Sequence, residues 1–328
     1  MENKQKDQGQ STADKPLKRP LFGQPTPARA AGVSYTLSAV IPSLLSLVFL
    51  MTIAVAGLTK KEGYETSDWY LYVSYLLPQI SFALIAIFWF RYTKTPVHEA
   101  VRAQKCHWKY FIVAILLQVG LLSLSELNSL FLKFLARFGY EDMGISLPSM
   151  DGFGFVGVLI VVAVLPAIFE ELFFRGVLLG GMQCFKRTGA VLLCGALFSL
   201  YHQNPAQTLY QFCCGAAFAL VAIKSGSILP TVLSHFANNA FIIVLEKMGI
   251  SSFSTPVFWT VLGVSVVCLA ASLAYLLFFD KKQANEPPMY GLEEENDDVS
   301  ERKRFFLAAA LGIGLCAFTW LFVLFTGM

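Results

Sequence analysis

The chain has 328 residues, of which 55% are apolar and 14% charged, with a net charge of +3 and a mean hydropathy of +0.58. A soluble domain carries about a quarter charged residues, so this composition excludes a soluble globule, and its apolar content excludes a disordered chain. The small net charge gives no footprint for nucleic acid, and a polytopic membrane protein remains.

Residues 1–32 are polar, basic and proline-bearing. No apolar segment with a small-residue cleavage site follows their charges, so they read as a disordered cytoplasmic tail and not as a signal peptide. Apolar runs of spanning length then lie at 33–57, 69–90, 110–125, 153–183, 187–203, 207–224, 228–247, 255–279 and 305–327. The third run continues as an amphipathic segment to about Gly139, and the fourth carries Pro166, which bends or interrupts a helix. The expectation is an all-α transmembrane bundle of eight or nine helices. Its core covers 33–279, a charged cytoplasmic linker covers 280–304, and a last helix at 305–328 is expected at the periphery.

Orientation follows from lysine and arginine. With the N-terminus in the cytoplasm, 19 of the 25 basic residues fall on inner segments, and the outer loops hold only Lys60, Lys61, Lys133, Arg137 and Lys247. This sets the N-terminus inside, and the expected location is an integral multi-pass protein of a bacterial cell membrane. The seven cysteines include no C-x-x-C pair and read as small packing residues.

Ionisable groups at bilayer depth are costly and mark functional sites by default. Of 22 acidic residues only Glu170 and Glu171 lie well inside a span, with Arg175 on the same helix. Glu171 and Arg175 are i,i+4 neighbours, acid before base, the favourable order for an ion pair. Glu170 points about 100° away and is left to face something else. Phe198 and His202 repeat the i,i+4 spacing on the fifth helix, as do His235 and Asn239 on the seventh. Asn238 points away from Asn239 by the same rotation and is expected to tolerate alanine unless it holds a helix contact.

A carboxylate and an imidazole that share a water can take its proton and return it to a leaving amine. A second imidazole and a carboxamide can donate to a developing oxyanion. The same side chains are also ordinary zinc ligands, so a metal-free site and a zinc site both stand open. The sequence has no His-Glu-x-x-His, no aspartate deep in a span and no Gly-x-Ser-x-Gly on a span, which removes zincin, aspartyl-dyad and serine-elbow chemistries.

Glu170-Glu171-x-x-x-Arg175, Phe198-x-x-x-His202 and His235-x-x-x-Asn239, in that order on successive helices, resemble the three motifs of the CAAX-protease and bacteriocin-processing (CPBP) family, which includes the type II CAAX prenyl endopeptidases. The resemblance covers about residues 150–250. It implies a glutamate-dependent intramembrane endopeptidase, often labelled a metalloprotease. By position, Glu170 and His202 would activate water, His235 and Asn239 would form the oxyanion hole, and Glu171, Arg175 and Phe198 would support the site. The implied partners are the lipid bilayer and a membrane-associated or lipidated peptide, prenylated or not. Two other readings are a binding or immunity protein that uses the same pocket without turnover, and a proton-coupled transporter. The transporter would show a repeat of broken helices, and only one such cluster occurs.

Overall fold

The computed structural model describes residues 26–93, 102–142, 144, 146–250, 253–280 and 298–328. The tail before residue 26 and the linker residues 281–297 lie outside the described residues. Among the described residues there is helix and no strand. In chain order the helices are α1 (Pro27–Val55), α2 (Asp68–Thr93), α3 (Lys109–Leu121), α4 (Leu124–Ala136), α5 (Gly154–Leu178), α6 (Arg187–Tyr201), α7 (Thr208–Ser225), α8 (Leu229–Lys247), α9 (Thr255–Phe279) and α10 (Val299–Thr326). With α3 and α4 counted as one, seven are long and apolar enough to cross a membrane, while α6 is apolar but only 15 residues long. The chain is an integral multi-pass membrane protein with a helical-bundle fold.

The helix ends have local causes. The side chain of Thr26 accepts a hydrogen bond from the Arg29 backbone at 3.3 Å, and Pro27 opens the first turn, so α1 starts earlier than its apolar run. Asp298 caps α10 by accepting from the backbone N–H groups of Ser300 and Glu301 at 2.9 and 3.1 Å. The basic residues Arg302 to Arg304, assigned from sequence to the linker, are therefore helical.

The last helix is also not peripheral. Phe305 and Ala309 are fully buried in the core that α1, α2, α5 and α6 share. A methyl group on Gly32 would collide with the Phe305 carbonyl, and one on Gly312 with the Thr36 backbone. Thr36 donates to the Ala308 carbonyl at 2.7 Å and accepts from the Gly312 N–H at 3.2 Å. Small residues and a hydroxyl let the α1 and α10 backbones touch, a feature that apolar content does not report.

The fourth span is helical without a break. Its α-helical middle, Leu165–Glu171, lies between π-helical segments at Leu159–Val164 and Leu172–Leu178. Pro166 stands in the first turn of that middle segment, the position where a proline is tolerated in a helix. A second core of α3, α7 and α9 packs around Leu117, Leu121, Phe218 and Val221. Between the two cores α6 and α7 cross closely, because a methyl on Gly215 would come within 2.9 Å of the Gly195 Cα. That crossing brings α5, α6, α7 and α8 around one buried point.

Candidate active site

Glu171 and Arg175 are fully buried, and Arg175 Nη1 donates to Glu171 Oε1 at 2.8 Å, as the spacing predicts. The same oxygen is 3.0 Å from His235 Nδ1, so the third motif is tied to the first. A carboxylate at this oxygen fixes the proton on Nδ1 and turns Nε2 outward. His235 Nε2 lies 4.0 Å from Glu170 Oε2, a buried oxygen with no hydrogen-bond partner among the described residues. The gap is too long for a direct hydrogen bond.

His202 sits just past the last helical residue of α6. Its Nδ1 is 2.8 Å from the Phe198 carbonyl, which can only accept, so Nδ1 carries the proton and Nε2 is left with its lone pair. Glu170, His235 and Arg175 are its ionisable neighbours. The Phe198 ring joins these parts: Arg175 lies 4.6 Å over it, and its centroid is 4.7 Å from that of His202 and 6.2 Å from that of His235. Arg175 also donates to the Gly215 carbonyl at 3.3 Å and stands 5.4 Å from the Phe218 ring.

Asn239 donates through Nδ2 to the Val162 carbonyl at 2.9 Å. The residue four places on from Val162 is Pro166, which has no N–H to offer that carbonyl. Asn238 is turned to α3 and α7 while Asn239 reaches α5, and it holds a helix contact, the exception to its expected tolerance of alanine. Its Nδ2 donates to Asn239 Oδ1 at 3.0 Å, and its Oδ1 accepts from Gln118 at 2.7 Å and Tyr210 at 2.8 Å. Gln118 and Tyr210 were not among the expected site residues. The signal available for Gln118 was an amide inside an otherwise apolar span.

The geometry coincides with an independent comparison. Residues 152–241 match the model of the Rce1-like family, described as type II CAAX prenyl endopeptidase Rce1-like. The match spans a little over a quarter of the chain and contains Glu170, Glu171, Arg175, Phe198, His202, His235 and Asn239. No curated protein and no solved structure matches the chain. The Rce1-like match supports a protease of the CAAX type in general terms.

Among the described residues, no group of three or more His, Cys, Asp or Glu side chains stands ready to hold a metal ion. Each histidine commits one ring nitrogen, His235 to Glu171 and His202 to Phe198. A separate groove of about 330 Å³, lined by Ala196, Leu200, Leu209, Phe212 and Trp320 among others, opens on the α6 face turned away from Phe198.

Proposed function

We propose that this protein is an intramembrane endopeptidase that hydrolyses a peptide bond of a membrane-associated or lipidated peptide. The observation that carries the reading is the unpartnered, buried Glu170 oxygen 4.0 Å from His235 Nε2, with the His202 ring close enough to feel the Glu170 charge. Glu170 takes a proton from a water that His202 Nε2 also holds, and the oxygen attacks the peptide carbonyl. The developing oxyanion is met by the second N–H of Asn239 and by His235, whose protonated ring Glu171 stabilises. Glu170 then returns the proton to the leaving amine. The basic end of the bundle is proposed to be cytoplasmic, which sets the N-terminus inside.

Glu170→Gln removes the base and keeps the shape. It is expected to lower turnover at least about 10²-fold with an unchanged melting temperature. The readout is the set of new peptide termini that appear in membranes containing wild-type protein and not in membranes containing the variant. Wild-type cleavage by purified Glu170→Gln would remove the assigned base, and the same pocket binding peptides without turnover in both proteins would favour a binding or immunity role. Metal content is measured on the same preparation. Stoichiometric zinc, with activity lost to a chelator and restored by zinc, would replace the Glu–His water by metal-bound chemistry.

A further inference from the structure

The Asn239 amide has a defined polarity that begins at a group unable to donate. The Val162 carbonyl only accepts, so the amide nitrogen of Asn239 must lie on that side, 2.9 Å away. Asn239 Oδ1 is then turned to Asn238, which must present its nitrogen, and does so at 3.0 Å. Asn238 Oδ1 is left facing α3 and α7, where Gln118 Nε2 donates at 2.7 Å and the Tyr210 hydroxyl at 2.8 Å. Gln118 is itself buried, with its Oε1 3.4 Å from Ser234 Oγ, which also lies 3.0 Å from the Ala114 carbonyl. Turning any one of these amides over would set oxygen against oxygen at the next link. The chain leaves one Asn239 N–H uncommitted.

We propose that Gln118 and Tyr210 are positioning residues that fix the rotation of the Asn239 amide through Asn238, so that its free N–H is held ready as an oxyanion donor. The inference rests on the peptidase reading for its catalytic consequence. The orientation of the amide does not depend on that reading.

The test uses the Gln118→Met/Tyr210→Phe double variant, which keeps bulk and removes both donors, beside Asn239→Ala and the combination of all three. Purified protein labelled with ¹⁵N-asparagine reports the side-chain amides, and the Asn239 signals are those lost in Asn239→Ala. In the double variant the two Asn239 amide protons are expected to converge and to exchange with water at least about tenfold faster. Cleavage of a quenched farnesylated CAAX peptide is the second readout. The double variant should lose about 10–10²-fold in kcat at nearly constant KM, and should lose nothing further on the Asn239→Ala background, because positioning acts through that residue. Unchanged Asn239 amide signals, or a kcat loss that adds to that of Asn239→Ala, would overturn the positioning role. An Asn239→Ala variant with wild-type kcat would instead overturn the oxyanion reading.

Discussion

Glu171 Oε1 accepts from Arg175 at 2.8 Å and from His235 at 3.0 Å, so one oxygen holds the guanidinium of its own helix and the imidazole of another. The i,i+4 spacing makes the first contact legible, because it depends only on helix geometry. The second joins residues 64 positions apart and depends on how α5 and α8 pack. Asn238 makes a second contact that spacing alone does not show. A rotation of about 100° separates neighbouring Cβ directions, but it does not stop two adjacent amides from bonding at 3.0 Å. The shared oxygen distinguishes the two glutamates. Glu171→Gln leaves Arg175 buried without its counter-charge, a loss of about 3–5 kcal/mol, and replaces the carboxylate that orients His235 with a weaker, neutral acceptor. Melting temperature and turnover should both fall, whereas Glu170→Gln should lower turnover alone. A Glu171→Gln protein with wild-type thermal stability would show that the pair carries no structural weight.

At the scale of the helix, α5 explains why two adjacent carboxylates can serve two purposes. The π-helical segments at Leu159–Val164 and Leu172–Leu178 bracket Glu170 and Glu171, and such insertions occur often at functional sites. Pro166 is visible in the sequence as a breaker and suggests a bend. What it does here is leave the Val162 carbonyl without an N–H four residues ahead, and the Asn239 amide takes that place at 2.9 Å. Sequence pattern cannot show this, since the compensating donor lies 77 positions away on α8. Pro166→Ala restores an N–H that competes for Val162. The helix itself should be as stable as before or more so, because a proline is removed from it. Asn239 should lose its anchor, and turnover should drop by about 10–10²-fold, the penalty typical of a misplaced catalytic group. Pro166→Ala with wild-type turnover and wild-type Asn239 amide signals would detach the proline from the site.

For the whole molecule, apolar run length gave the helices and basic residues gave the alternation of their ends, and the contacts agree with both. At one end Lys109 pairs with Asp280 at 3.1 Å, the Asp298 N–H donates to Cys184, and the Ile228 N–H donates to Arg102. At the other, Ser149 donates to Asp68 at 2.7 Å, Tyr72 to the Gly154 carbonyl at 3.2 Å, and Lys247 meets Asp151 at 3.4 Å. The clasp of α10 on α1 was not legible, because hydropathy weighs glycine as a weak residue and is silent about close approach. That clasp also reaches the site. Gln203, beside His202, donates to Cys316 Sγ at 3.7 Å, and Trp320 donates to Thr208 at 2.8 Å, so α10 braces the turn that carries His202. Gly312 and Gly314 test the idea as a pair. A side chain at Gly312 would strike the Thr36 backbone, while one at Gly314 meets nothing within 4 Å. Gly312→Leu should cost about 1–3 kcal/mol or more through overpacking and should lower turnover as the His202 turn loosens. Gly314→Leu, facing open space, should change stability by less than about 0.5 kcal/mol and leave turnover unchanged. Equal melting temperatures for the two variants would mean that α10 is not clasped to α1. A destabilised Gly312→Leu with normal turnover in its folded fraction would mean that the brace on His202 is dispensable.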